Sequence, residues 1–167
     1  SLLALSIGPD ALRNVLAKVG FGEETGSGFP GERSGVLPAH RRWSDIETAT
    51  LSYGYGLSAS ALQIASAYST LADGGLRKPV SLLNLDPATL DAMPREQVIG
   101  EAVAHSVMRA LETVVDKERG GGATAANVPL YTVAGKTGTT NDSLDVWFIG
   151  FTNSIVAGCY IGYDTPR

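Results

Sequence analysis

The sequence has few of the residues that would build a disulfide scaffold or a metal site. Cys159 is the single cysteine of the 167 residues, so no internal disulfide can form. The two histidines, His40 and His105, have no cluster of further ligands around them, as zinc would require. We therefore expect no metal and no cofactor. Cys159 lies in the apolar run 155–163 and is predicted to be a buried strand thiol.

Positive charge and long apolar runs are also scarce. Thirteen Lys and Arg residues against 17 Asp and Glu give a net charge of −4, and no basic cluster exceeds Arg41-Arg42. This composition argues against a nucleic-acid partner. No run approaches the roughly 18 apolar residues of a membrane span. The chain begins inside an apolar pattern without a methionine and ends abruptly at Arg167, so we expect a piece of a longer protein.

Helix signals dominate the first half of the chain. They are an apolar stripe after Pro9 that stops at Gly20, a Ser44-x-x-Glu47 capping box, and an alanine-rich run capped by Ser58 that stops at Gly74-Gly75. Residues 21–43 are predicted to form a long loop. The G-x-G-x-x-G pattern of Gly26–Gly31 lies within it, and it lacks the preceding strand and following helix of a dinucleotide site.

The second half predicts one more helix and then a sheet. We expect a short strand at Val80–Leu85 and a helix at Glu96–Glu118 whose apolar stripe includes Val103 and Val107. Three runs rich in β-branched and aromatic residues follow, which predicts an antiparallel meander. Helices first and a meander last indicate an α+β fold, with helices on a mainly antiparallel sheet.

The first of these strands carries Lys136-Thr137-Gly138-Thr139. The Lys136 cation and the two threonine hydroxyls can bind a carboxylate, and a strand N–H can donate to a developing oxyanion. Gly138 has no side chain to block a peptide from pairing along the strand edge. The pattern therefore favours recognition of the C-terminal end of a peptide.

Two tyrosines next to glycines, Tyr53 and Tyr55, have two possible roles. They can be core residues, or they can line a cleft, because glycine lets the backbone turn tightly and present a ring. The sequence alone favours the core.

Several blocks together resemble a known family. Residues 28–35, 42–47 and 49–57, ahead of Lys136-Thr137-Gly138, resemble the transpeptidase domain of class B penicillin-binding proteins of the division-specific type. The resemblance runs from Leu2 to about Thr139. Residues 140–152 and 163–167 resemble class A penicillin-binding proteins instead. The implied fold is the penicillin-binding/β-lactamase-type transpeptidase fold, incomplete here, with residues 1–167 as the C-terminal portion of a single domain.

The resemblance assigns roles to individual residues. Lys136 would bind the serine of the family's Ser-x-Asn element and attract the substrate carboxylate, which the hydroxyls of Thr137 and Thr139 would contact. The N–H of Thr139 would form half of the oxyanion hole, and Gly138 would admit the substrate strand. Tyr55 would line the cleft. The chain contains no Ser-x-x-Lys and no Ser-x-Asn, so it lacks the nucleophile and is expected to be inactive alone.

The implied function is peptidoglycan cross-linking at the extracytoplasmic face of the bacterial inner membrane. The implied partners are a stem peptide ending in D-Ala-D-Ala, β-lactam antibiotics, and membrane proteins of the division complex. The alternative is a non-catalytic fragment of the same fold that binds cell-wall peptide or a division partner.

Overall fold

A computed structural model describes residues 2–39, 43–140 and 144–163. The helices are α1 (Leu2–Ile7), α2 (Pro9–Lys18), α3 (Asp45–Leu51), α4 (Ala61–Ala72), α5 (Pro87–Ala92) and α6 (Glu101–Val115), with a 3₁₀ turn at Thr124–Ala126. The strands are β1 (Leu76–Arg77), β2 (Glu96–Gln97), β3 (Ala134–Thr139), β4 (Asp145–Phe151) and β5 (Val156–Gly162). The predicted α+β class is confirmed.

The chain divides into two compact units. One comprises Ser1–Ala67 and Arg77–Val98, and the other comprises Tyr68–Leu76 and Ile99–Arg167. Helices α1, α2, α3 and α5 belong to the first unit, whereas α6 and the sheet of β3, β4 and β5 belong to the second. That residues 1–167 form a portion of one domain stays a prediction.

Gln63 fixes the start of α4 and the loop beside it in the first unit. The Ser60 N–H donates to Gln63 Oε1 at 2.7 Å, and the Gln63 N–H donates to Ser60 Oγ at 3.1 Å. This reciprocal pair is a capping box, so the predicted cap at Ser58 is wrong by two residues. Ser58 instead pairs with Val36 in an isolated β-bridge. Ser58 lies outside the helix because its backbone is used in this pairing.

The long loop of the first unit is held by a carboxylate. Residues 21–39 contain no helix or regular strand, as predicted. Glu32 accepts hydrogen bonds from the Thr25 N–H at 2.8 Å, from Thr25 Oγ1 at 2.6 Å and from Ser27 Oγ at 2.6 Å. The G-x-G-x-x-G segment is therefore a surface loop closed by Glu32.

Two predicted helices are confirmed at their starts. Helix α2 begins at Pro9, and its C-terminal residue Lys18 is followed by the cap Val19. Helix α3 begins with the predicted capping box, in which Ser44 Oγ accepts from the Glu47 N–H at 3.2 Å and the Glu47 carboxylate accepts from the Ser44 N–H at 2.8 Å. Local signals are sufficient here because a helix cap involves residues only three apart in sequence.

Two predictions for residues 80–100 are wrong. No strand forms at Val80–Leu85; instead Asp86 caps α5 by accepting from the Thr89 N–H, and Pro87 occupies the first helical turn. Asp followed by Pro is itself a helix-start signal, and the apolar run before it obscured that signal. Helix α6 begins at Glu101 rather than Glu96, because residues 96–97 are extended as β2.

The second unit is built on the predicted three-stranded antiparallel meander, in the order β3-β4-β5. Helix α6 packs against β3. Ala134 and Phe151, which are partners in the β3–β4 register, are 2% and 3% exposed, and the Tyr68 ring meets Phe151 edge to face. Cys159 lies on β5 as predicted but is exposed, so the prediction of a buried thiol is wrong. An apolar run does not reveal whether another layer packs on it. The predicted polar turn after Thr140 falls on residues 141–143, outside the described part of the chain.

Candidate functional site

The residues predicted to bind a carboxylate lie on β3, the outer strand of the meander. The strand is buried where it begins, at Ala134 and Gly135, and Lys136, Gly138 and Thr139 are exposed. The core therefore holds one end of β3 while the other end carries the polar groups.

Successive side chains of a strand point to opposite faces of the sheet, and this alternation separates the predicted site residues. In the β3–β4 register, Lys136 is opposite Ile149 and Gly138 is opposite Trp147, so these four residues share one face of the sheet. Thr137 and Thr139 alternate to the other face. The structure thus brings the four predicted residues together on one strand, but it does not place the ammonium and the two hydroxyls on one face.

The backbone of β3 points outward at the two threonines. The Thr140 N–H donates to the Asp145 carbonyl oxygen at 3.0 Å. In an antiparallel pair the hydrogen-bonded positions alternate, so Gly138 and Lys136 bond to β4 and the N–H and C=O groups of Thr137 and Thr139 face the outer edge. These are the groups that an added peptide strand would pair with.

Lys136 Nζ lies at that same edge. It donates to the carbonyl oxygen of Thr137 at 2.7 Å. The carbonyl is one of the outward groups, so the ammonium and the outward backbone groups of β3 lie together. A cation beside outward N–H groups favours an anionic ligand.

The two glycines of β3 differ in what surrounds them. A Cβ at Gly135 would lie 2.7 Å from the Phe148 ring and 2.9 Å from the Ile149 carbonyl oxygen, so packing alone requires glycine there. A Cβ at Gly138 would meet only Trp147 Cβ, at 3.5 Å, which is an ordinary contact. The described sheet therefore does not require glycine at position 138.

Tyr55 belongs to the first unit, whereas β3 belongs to the second. Tyr55 is 59% exposed and Tyr53 is 62% exposed, and the centroids of their rings are 5.8 Å apart in a T-shaped pair. The preference for core positions is therefore wrong for both tyrosines. Gly54 and Gly56, at φ 96° and 80°, allow the turn that presents the two rings.

Sequence reasoning missed Trp147, which lies opposite Gly138, and the two side chains next to it, Tyr160 and Asp145. Trp147 and Tyr160 are partners across β4 and β5, and their ring centroids are 4.8 Å apart. Tyr160 Oη donates to Asp145 Oδ1 at 2.7 Å. Alternation within β3 or within β4 alone does not place Trp147; only the β3–β4 register puts it on the Lys136 face and opposite Gly138.

The described residues contain neither a cluster of metal ligands nor a helix suited to crossing a membrane. No group of three or more His, Cys, Asp and Glu side chains in ranges 2–39, 43–140 and 144–163 could hold a metal ion. No helix in those ranges has the length and apolarity needed to cross a membrane.

Comparison with known proteins identifies the class. The protein-family model of the penicillin binding protein transpeptidase domain matches residues 1–157 of the sequence. The chain belongs to this family. Its fold is that of the transpeptidase domains: it superposes on the apo structure of the TP domain from Burkholderia pseudomallei penicillin-binding protein 3 with a TM-score of 0.82 at 30% identity, covering 95% of this chain and 51% of that one.

Among individual relatives, the chain is 41% identical over 139 residues to the probable peptidoglycan D,D-transpeptidase PbpC of Pseudomonas aeruginosa. It is 40% identical over 139 residues to the peptidoglycan D,D-transpeptidase FtsI of Escherichia coli K12. Each match covers 83% of this chain but 24% and 23% of the relative. The chain spans about a quarter of the length of these curated relatives.

Proposed function

We propose that residues 1–167 are the C-terminal portion of a single transpeptidase domain of a serine D,D-transpeptidase that cross-links peptidoglycan. In this proposal β3 is the wall of the active site that holds the donor peptide. One observation carries the proposal. Lys136 Nζ and the outward-facing backbone groups of Thr137 and Thr139 lie together at the edge of β3.

The donor peptide would extend the sheet along this edge. Its backbone would pair with the N–H and C=O groups of Thr137 and Thr139, and Gly138 would leave space for it. Its terminal carboxylate would lie at the strand edge, where the threonine hydroxyls would contact it from one face of the sheet. The Lys136 ammonium, which starts from the other face and reaches the same edge, would attract it. The Thr139 N–H would donate to the oxyanion that forms on the scissile carbonyl. Tyr55 would line the cleft.

The reaction implied by the family is acyl transfer. A serine Oγ attacks the carbonyl carbon between the two D-alanines, the C–N bond breaks, and D-alanine leaves with a proton on its amine. An amine of a neighbouring stem peptide then attacks the acyl-enzyme ester and frees the serine. A β-lactam would acylate the same serine. This chain has neither Ser-x-x-Lys nor Ser-x-Asn, so the nucleophile would come from outside it, and neither a metal nor a cofactor is required.

The proposed site of action is the extracytoplasmic face of the bacterial inner membrane, with membrane proteins of the division complex as partners. The similarity to FtsI and PbpC, whose names identify peptidoglycan D,D-transpeptidases, supports this placement. The second candidate is a non-catalytic fragment that binds cell-wall peptide. The exposed edge of β3 favours it, because strand addition requires no nucleophile.

Reconstitution distinguishes these two functions. The chain is mixed with a separately produced segment of a relative that carries Ser-x-x-Lys and Ser-x-Asn, and labelling by a fluorescent penicillin is measured. We expect no label on either piece alone and restored label on the mixture. Lys136→Ala should reduce the labelling rate by at least about ten-fold, which is the loss of one charge-assisted interaction of about 1.4 kcal/mol or more.

Lys117→Ala, which removes another exposed lysine of the same unit, is the matched control and should label as the unaltered mixture does. Label on the 167-residue chain alone would show that the nucleophile has been misplaced. If no mixture is labelled while the chain still binds a D-Ala-D-Ala peptide, the non-catalytic function is correct.

A further inference from the structure

Two adjoining cavities lie in the second unit, bounded by the C-terminal half of α6 and the segment that leads into β3. The larger has a volume of about 270 Å³, and its lining includes Ala72, Met108, Ala134 and Phe151. The smaller has a volume of about 190 Å³, and its lining includes Asp116, Arg119 and Tyr131. Glu112 and Thr132 line both cavities, so the two form one groove, which we call the α6 groove.

The larger cavity is the apolar end of the α6 groove. Ala72 ends α4, Met108 lies on α6, and Ala134 and Phe151 are partners across β3 and β4. A dry cavity of roughly 150 Å³ with an apolar lining holds a benzene molecule. The apolar end of the groove therefore has room for an aromatic or branched aliphatic side chain.

A half-buried carboxylate lies where the two cavities meet. Within the described ranges, no ion pair and no side-chain hydrogen bond engages Glu112. The other carboxylate of the groove is already bound, because Asp116 pairs with Arg119 Nε at 3.2 Å and accepts from the Glu118 N–H at 2.8 Å. A carboxylate partly removed from water is stabilised by a ligand that brings a cation. The groove thus offers an unused negative charge next to its apolar end.

The turn before β3 adds exposed apolar surface at the rim of the groove. The Tyr131 N–H donates to the Val128 carbonyl oxygen at 3.2 Å, which closes a turn with Pro129 and Leu130 at its centre. Leu130 has a φ of 73°, and its side chain is completely exposed. A branched side chain is strained at positive φ, and a strained residue that presents apolar surface to water indicates a contact site. Tyr131, which lines the groove, is exposed beside it.

We propose that the α6 groove docks a partner polypeptide through one large apolar side chain and an adjacent lysine or arginine. The apolar side chain enters the larger cavity, the cation pairs with Glu112, and the neighbouring residues of the partner cover Leu130. Charge complementarity selects this occupant over an acyl chain, which would leave the Glu112 carboxylate half-buried without a counter-charge. The exposed turn requires a ligand that extends beyond the two cavities, as a polypeptide does.

The α6 groove is separate from the site assigned to the donor peptide. Strand β3 contributes its buried first residue, Ala134, to the groove. Thr139 lies five residues further along β3, about 17 Å away at ~3.4 Å per residue. The docking proposal therefore goes beyond the proposed function and does not rest on it.

Titration of the backbone amide resonances of the 167-residue chain tests the docking site. Three alanine heptapeptides with blocked ends carry phenylalanine-lysine, phenylalanine–Nε-acetyl-lysine or alanine-lysine at their centre. We expect the phenylalanine-lysine peptide to shift resonances of residues 108–119, 128–134 and 151–153. It should bind about five-fold tighter than the acetyl-lysine peptide, as a partly exposed ion pair gives. It should bind at least about ten-fold tighter than the alanine-lysine peptide, which lacks the ring that the cavity buries.

Glu112→Gln assigns the preference for lysine to the unused carboxylate. It keeps the shape of the side chain, so the phenylalanine-lysine and acetyl-lysine peptides should bind equally while the affinity for the acetyl-lysine peptide stays unchanged. Glu118→Gln removes an exposed carboxylate that lines neither cavity. It is the matched control and should bind all three peptides as the unaltered chain does.

Leu130→Gly tests the rim of the groove. Glycine adopts a positive φ without strain, so the variant should unfold at a higher urea concentration than the unaltered chain. It should nevertheless bind the phenylalanine-lysine peptide about three-fold more weakly, because an apolar contact is lost. Greater stability together with weaker binding separates the contact from any effect on folding.

Several results would overturn the docking proposal. They are equal affinities for the three peptides, shifts confined to residues 137–139, and an undiminished preference for lysine in Glu112→Gln. A dimer of the unaltered chain that Glu112→Gln dissociates would assign the groove to a second copy. Tighter binding of decylammonium than of the phenylalanine-lysine peptide would assign it to an amphiphile. Each of these results leaves the proposed function standing, because that function is tested by penicillin labelling.

Discussion

The Thr140 N–H donates to the carbonyl oxygen of Asp145 at 3.0 Å, and this bond determines which backbone groups of β3 face outward. Alternation along the antiparallel pair then assigns Gly138 and Lys136 to the ladder with β4 and leaves Thr137 and Thr139 facing the outer edge. The side chains and the backbone of one strand thus have separate functions in the proposed site.

Thr139→Pro tests the outward N–H directly. Proline removes that N–H, and an edge position facing away from the ladder tolerates it, so the free energy of unfolding should fall by no more than about 1 kcal/mol. Binding of a D-Ala-D-Ala peptide should be lost or weakened at least ten-fold, about 1.4 kcal/mol. Urea unfolding and peptide titration are the measurements.

Gly138→Pro is the matched control for Thr139→Pro. It removes an N–H that bonds to β4, and losing a ladder bond should cost about 1–3 kcal/mol of unfolding free energy. If Thr139→Pro destabilises the chain as much as Gly138→Pro does, the assignment of inward and outward groups is wrong.

Gln63→Leu tests the anchor of the first unit. Gln63 is 2% exposed, and its Nε2 donates to the carbonyl oxygens of Glu23 and Ser34, each at 2.7 Å. Leucine would deprive these two part-buried carbonyls of their donor and the Ser60 N–H of its acceptor, so we expect a loss of about 2–4 kcal/mol of unfolding free energy. The measurement is the urea midpoint.

Ser60→Ala separates the cap of α4 from the loop anchor. It removes the hydroxyl that accepts from the Gln63 N–H and leaves the two bonds from Nε2 in place, so its cost should be about 1 kcal/mol. Equal costs for Ser60→Ala and Gln63→Leu would show that Gln63 acts only as a capping residue.

The Glu32→Gln variant tests whether the Glu32 carboxylate closes the loop, because its effect on the free energy of unfolding should depend on pH. Hydrogen bonds from Ser27, and then from Thr25, hold the pKa of the Glu32 carboxyl below its ordinary value of 4.5. The unfolded chain therefore binds the proton at a higher pH than the folded chain does, and Glu32 contributes stability above about pH 4.5 that is lost as the pH falls through the folded pKa. At pH 7 the variant should unfold at a lower urea concentration than the unaltered chain, and the difference should narrow below pH 4.5.

Ser27→Ala provides the companion to Glu32→Gln. It removes the hydrogen bond that contributes most to lowering the pKa of Glu32, so it should reproduce part of the same pH-dependent difference. A difference between Glu32→Gln and the unaltered chain that stays constant from pH 7 to pH 3 would contradict the role given to the carboxylate.

Local sequence signals predicted the elements whose determinants lie close together in the chain. The Ser44-x-x-Glu47 box formed because its donors and acceptors are three residues apart. The meander formed because its three strands follow one another directly along the chain and each pairs with the next. The same signals failed at Val80–Leu85, where an apolar run was read as a strand although Asp86 and Pro87 begin a helix next to it.

Burial was less predictable than secondary structure. The expected apolar stripe of α6 included Val103 and Val107, which are 58% and 38% exposed, while Ala104 is completely buried. Tyr53, Tyr55 and Cys159 were assigned to the core and are exposed. Hydrophobicity measures the tendency of a side chain to leave water, but the packing of neighbouring elements decides which side chains do so.

By itself the sequence determined helices α2, α3, α4 and α6, the meander, and the four residues on β3 that resemble a transpeptidase motif, because each depends on neighbours within a few positions. Alternation along the predicted strand also places Lys136 and the two threonines on opposite faces. Only the tertiary structure decided that the backbone of Thr137 and Thr139 points outward and that Trp147 lies beside Gly138. Those relationships depend on the pairing register between strands. A shift of one residue would exchange the faces of every side chain of one strand relative to its partner, and the residues of β3 alone do not specify the register because it is set jointly by both strands and the turn between them.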